Sequence, residues 1–116
     1  MENPNQHAER RQSPRTPISH GTYAHRLMES DVPVVRVQMA DVSAEGVGFT
    51  SMIPLATGER VALALKPGQP GCECALCRVQ HAGKAPSGHY RAGLQILLRR
   101  PGDLSQIRIP PEWRSA

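Results

Sequence analysis

Two short stretches of this chain combine residue types that can do chemistry. The first, Glu9-Arg10-Arg11-Gln12-Ser13-Pro14-Arg15, sets Arg11 and Arg15 at an Arg-x-x-x-Arg spacing, with a third guanidinium just ahead in Arg10. Guanidinium forks donate in pairs to phosphate oxygens, and their flat faces stack on rings. The second, Asp41-Val42-Ser43-Ala44-Glu45-Gly46, is an Asp-x-Ser-x-x-Gly. It offers a carboxylate acceptor, a hydroxyl, and a glycine that permits close approach or positive φ. Each stretch alone has a plain explanation. Paired arginines occur in any basic tail, and Asp, Ser and Gly are ordinary turn residues whose side chains cap local N–H groups.

The elements that must hold these residues read as short strands. Val35, Val37 and Met39 alternate with Arg36, Gln38 and Ala40, which puts one face inside and the other outside. Val61-Ala62-Leu63-Ala64-Leu65 forms a second strand, ended by Lys66-Pro67-Gly68. Tyr90, Ala92, Leu94, Ile96 and Leu98 alternate with His89, Arg91, Gly93 and Gln95 in a third. Shorter candidates run from Ile18 to Leu27, Val47 to Met52 and Glu73 to Ala82, with turn residues between them. The Asp-x-Ser-x-x-Gly therefore follows one strand and precedes another.

Eleven prolines and ten glycines in 116 residues favour many turns over long helices. Six short strands at this spacing predict an all-β fold, a small six-stranded antiparallel β-barrel, because closure hides edges that an open sheet would expose. Residues 1–17 are polar and without apolar period, and read as a flexible N-terminal arm. The barrel is expected over 18–98 and a tail over 99–116. That tail includes a short helical turn at Asp103–Arg108, stopped by Pro110-Pro111. Its Trp113 either packs on the barrel or touches a partner. The chain has no apolar run long enough to span a bilayer and no hydrophobic leader, so a cytoplasmic location is expected. Its formal charge of +4 suits an anionic ligand without specifying one.

The order and separation of the two motifs, with strands around the second, resemble the PilZ family. Gly46-Val47-Gly48-Phe49 is similar to that family's strand after the Asp-Ser-Gly turn, and Tyr90-Arg91-Ala92-Gly93-Leu94-Gln95-Ile96 to its last barrel strand. The resemblance covers roughly residues 9–98. It implies a receptor for cyclic di-GMP, with Arg10, Arg11, Arg15, Asp41, Ser43 and Gly46 at the ligand and no catalytic residue or cofactor. The chemistry agrees with such a ligand. Arg11 and Arg15 match phosphates or the guanine O6/N7 edge, and Asp41 can accept from guanine N1–H and N2–H. Ser43 can donate to a phosphate or serve the turn, and Gly46 serves ligand approach or the turn alike. An arginine at position 10 goes, in the family, with a stacked two-molecule form of the ligand, though Arg10 also reads as tail. The resemblance implies signalling through a partner protein, since the lone domain carries no output module.

Other chemistries fit less well. Cys72, Cys74, Cys77 and His81 suggest zinc, but on one extended strand Cys74 and Cys77 point to opposite faces, while Cys77 and Val79 share one. Ser43 has no histidine partner in a nucleophile's context, and His20, His25, His81 and His89 read as surface strand residues, so no enzyme activity is expected. A nucleic-acid-binding barrel would need aromatic platforms among its basic residues, and one Phe, one Trp and two Tyr do not supply them. A ligand-independent adaptor would have no use for both motifs intact.

Overall fold

The computed structural model describes residues 16–66, 70–102, 109 and 112–113. Arg10, Arg11, Arg15 and the expected helical turn at Asp103–Arg108 lie outside the described residues. Six strands follow one another: β1 (Thr16–Arg26), β2 (Val34–Val42), β3 (Gly46–Ser51), β4 (Arg60–Leu65), β5 (Glu73–Lys84) and β6 (Tyr90–Pro101). All pairings are antiparallel, and the order β1-β2-β3-β6-β5-β4 closes into a barrel through β1 and β4. The all-β, six-stranded barrel expected from the alternation is the fold observed. Among the described residues, no helix is long and apolar enough to cross a membrane.

Strand ends differ from expectation where polar residues continue a ladder. β1 begins at Thr16 and β6 runs to Pro101, three residues past Leu98. Arg99, Arg100 and Pro101 are exposed, so they pair with β5 without needing an apolar face. A tight connection supports the long β5–β6 hairpin: Ala85 N–H donates to His89 O (2.7 Å), and Gly88 takes φ +89°.

The interior is filled by the residues the alternation placed there. Val35, Val37 and Met39 from β2, Val47 and Phe49 from β3, Leu63 from β4 and Leu94 from β6 share one core. A smaller cluster sits outside the wall, where Trp113 covers Ala62, Cys74 and Leu76. This explains why β4 is apolar on both faces: its outward positions are the small Ala62 and Ala64, and Ala62 lies under the indole. Trp113 is only 1% exposed, and the Arg100 guanidinium lies 5.9 Å from its ring centroid. Of the two roles foreseen for Trp113, it packs on the barrel.

Cys77 points into the core beside Val79, whereas Cys74 lies outside in the Trp113 cluster. Burial pushes the Cys77 thiol up to about 12, with Arg99 opposing weakly. Its proton is held more tightly in the folded chain than in the unfolded one. Its contribution is therefore complete below about pH 9, the ordinary value, and is lost as pH climbs towards about 12. In urea titrations across that window, Cys77→Val is expected to lose less stability than the parent. Parallel curves for the two proteins would contradict this.

Two histidines depart from the surface placement expected of them. His81 and His89 are exposed, but His20 and His25 are half-buried, His25 beside Leu27 in a groove that Ile109 helps to line. At the same end of the barrel, Arg26 and Glu59 form a buried ion pair whose side chains are 13% and 1% exposed. Arg26 Nε and Nη2 donate to the two Glu59 oxygens, Nη1 donates to Ser30 Oγ (3.2 Å), and Ala56 N–H donates to Glu59 Oε2 (2.9 Å).

Candidate functional site

The Asp-x-Ser-x-x-Gly forms the end of β2, the turn and the start of β3. Ser43 N–H donates to Gly46 O (2.8 Å), and Gly46 N–H donates to Ser43 Oγ (3.1 Å). The Ser43 hydroxyl proton faces Gly46 O at a long 3.4 Å, a weak bond that a better acceptor can replace. Strand β6 pins the turn from the side. Ile96 N–H donates to Glu45 O (2.7 Å), and Arg99 Nη1 reaches Ala44 O (3.4 Å) while its Nε is held by Glu73 (2.8 Å). Gly46 is buried and opens β3 opposite Gln95. Positive φ, one reason foreseen for this glycine, is not used there; among the described residues, the glycines that use it are Gly58, Gly71, Gly88 and Gly102.

Asp41 owes its direction to an irregularity. Strict alternation would give it the face of Val35, Val37 and Met39, which is the core. The register steps from Met39↔Phe49 to Asp41↔Gly48, so Ala40 is an extra residue, and the bulge turns Asp41 to the outer face. There its carboxylate leans over Gly48. A Cβ on Gly48 would lie only 3.0 Å and 3.2 Å from the two oxygens.

The same device operates on the far side. In β5 the register steps from Val79↔Leu94 to His81↔Gly93, so Gln80 is extra and His81 turns outward instead of following Val79 into the core. Its imidazole covers Gly93, where an added Cβ would fall 2.2 Å and 2.3 Å from ring atoms. Since Gly48 pairs with Gly93, one straight row crosses four strands: Asp41, Gly48, Gly93, His81. At about 4.8 Å per strand, the row spans roughly 14 Å. It floors a cleft of about 840 Å³ whose walls include Thr50, Lys84 and Arg91. The cleft therefore sets a carboxylate over one glycine and an imidazole over the next, with two cations at its edge. That suits a planar, hydrogen-bonding, anionic molecule.

The chain also enters the barrel here. Thr16 pairs with Val42 and Pro17 with Asp41. Arg15 is bonded to Thr16, and Arg11 lies five residues away, within roughly 17 Å of extended chain. Of the residues foreseen for the site, Asp41 lines the cleft, Ser43 and Gly46 form the turn just beyond it, and Arg10, Arg11 and Arg15 lie outside the described residues. Gly48, Gly93, His81, Lys84 and Arg91 were not foreseen as site residues. Their signal is register across strands, which a single sequence does not display.

The PilZ domain family model matches residues 9–108, and the chain belongs to that family. Among solved structures, it is similar to the PilZ domain with c-di-GMP of YcgR from Escherichia coli, at TM-score 0.60 and 15% identity, over 91% of this chain and 84% of that one. No curated protein matches it.

Proposed function

We propose that this chain is a cyclic di-GMP receptor that holds the dinucleotide on the Asp41–His81 row beneath its N-terminal arginines. The observation that carries this reading is the register, which puts the chain's entry, the Asp41 carboxylate and the paired glycines side by side. Family membership and a fold shared with a domain described with c-di-GMP support it. In this arrangement Arg11 and Arg15 clamp the phosphates or a guanine edge, and Asp41 accepts from guanine N1–H and N2–H. Ser43 turns its hydroxyl proton from Gly46 O to a phosphate while keeping the Gly46 N–H, so the turn is not disturbed. Gly46 keeps the turn close to the ligand. Arg10 adds a third face for a stacked second molecule.

Binding fixes the arm against the barrel and so creates a surface for a partner protein; the chain acts as a ligand-gated adaptor without catalysis. Calorimetric titration of the intact protein with cyclic di-GMP tests the reading. Saturable binding at micromolar or lower concentration is expected, with a stoichiometry of two if Arg10 supports the stacked form. No heat and no competition at the cleft would overturn it.

The glycine floor gives a second expected result. Gly93→Ala would force the His81 ring to move, which an exposed side chain can do at little cost to folding. The added methyl would lift the ring off Gly93 and push it further into the cleft. Affinity for the dinucleotide is expected to fall tenfold or more, by about 1.4 kcal/mol at least, while the thermal midpoint shifts little. A large loss of stability with unchanged affinity would show that Gly93 serves the fold alone.

A further inference from the structure

At the end of the barrel away from the motif turn, the segment from Leu27 to Val34 carries apolar side chains that no other described residue covers. Met28 is 52% exposed, Val32 37% and Val34 43%. Scattered exposed hydrophobics need no explanation, but these three fall within seven residues of chain, and Met28 and Val34 line one groove. The groove is about 1010 Å³ and takes in Leu27, Pro33 and Ile109 as well. Met28 also borders a second, mainly apolar hollow of about 460 Å³ that reaches Thr57 and Trp113, so it stands between that hollow and a groove whose wall mixes apolar side chains with Glu29, Ser30 and Asp31.

The segment is firmly held. Arg26 N–H donates to Pro33 O (2.8 Å), Leu27 N–H donates to Arg60 O (3.2 Å), and Val32 N–H donates to Ser30 Oγ (3.1 Å). Beneath it lies the buried Arg26–Glu59 pair. A desolvated ion pair is a poor source of stability but a good way to fix one shape. Here the fixed shape holds apolar tips in water, ready to bind without further ordering.

Charge narrows the occupant. Arg26 is committed to Glu59, which leaves Glu29 and Asp31, both exposed, on the groove rim, with His25 on its wall and Arg60 beside the adjoining hollow. The two exposed carboxylates disfavour nucleic acid and anionic lipid in the groove. A symmetric second copy would bring four carboxylates together.

We infer that the β1–β2 end of the barrel is a docking surface for a protein segment carrying apolar anchors flanked by lysine or arginine. The inference stands apart from the ligand reading. Seven residue steps of β2 separate Val34 from Asp41, roughly 23 Å, so the two surfaces can fail independently.

The test uses the intact, isotope-labelled protein without dinucleotide, titrated with an amphipathic peptide of leucine and lysine at helical spacing and with its glutamate-for-lysine counterpart. Amide shifts from the lysine peptide are expected to concentrate in residues 27–34, with affinity at least tenfold above that of the glutamate peptide. Met28→Ser with Val34→Ser, and separately Glu29→Lys with Asp31→Lys, should each weaken the lysine peptide about tenfold. All of these positions are exposed, and an unchanged amide spectrum elsewhere confirms that each variant is folded. Shifts centred on other residues, or equal binding of the two peptides, would overturn the inference. Concentration-dependent self-association through residues 27–34, seen by sedimentation, would overturn it in favour of a second copy.

Discussion

Asp41→Ala is expected to weaken cyclic di-GMP binding about 30-fold or more, with the barrel left folded. Removing one partner from a desolvated, charge-assisted hydrogen-bonded pair costs about 2 to 5 kcal/mol, and each 1.4 kcal/mol is tenfold in affinity. The loss should fall mainly in the off-rate, because the carboxylate acts after encounter. Arg15→Ala should cost as much, but with a different salt response. Loss of a phosphate contact flattens the dependence of affinity on ionic strength, whereas loss of a guanine-edge contact leaves it unchanged. Asp41→Asn keeps the shape against Gly48 and loses the charge, so an intermediate affinity is expected. Calorimetry over a salt series checks all three, and full-strength binding by Asp41→Ala would remove the carboxylate from the site.

Glu59→Ala is expected to be the most destabilising single substitution near the surface, by about 3 to 5 kcal/mol. It would strand the Arg26 guanidinium in a half-closed site and leave Ala56 N–H without its acceptor. Glu59→Gln should cost less, since its amide oxygen can still accept. Urea denaturation measures the difference. A value for Glu59→Ala within about 0.5 kcal/mol of the parent would mean that the pair behaves as an exposed one. The distinction bears on function, because the pair fixes the segment with Met28 and Val34 at its tips while lying far from Asp41. Glu59→Gln should therefore leave dinucleotide affinity unchanged.

Much of this molecule was legible before any coordinates. Val35, Val37 and Met39, or Tyr90 to Leu98, announce strands because a half-buried sheet face imposes period two on the chain. The turn at Ser43–Gly46 announces itself because a hydroxyl and a glycine are what a tight connection needs. What stayed hidden shares one cause. Gly48 and Gly93 look like any strand glycines until register places them opposite each other, and His81 looks like a surface residue until its ring is found over Gly93. The ties from Arg99 and Ile96 to the turn join residues about fifty positions apart. Local pattern carries no record of such partners. The end of β6 was missed for another reason, since an exposed ladder tolerates Arg99 and Arg100 as readily as a loop does.

The two bulges make the barrel's outer chemistry a matter of phase. Ala40 and Gln80 each add half a repeat to a strand whose core-facing residues are already spent, and only downstream of them do Asp41 and His81 come round to water. Were the ladder to run on from Met39 without its bulge, Ala40 would stand opposite Gly48 and Asp41 would turn inward opposite Val47. Deleting Ala40 would instead set Asp41 directly after Met39, still opposite Gly48 and still facing out. Substitution can weaken this site, but a one-residue slip of the strand past the bulge turns it inside out with no change in sequence.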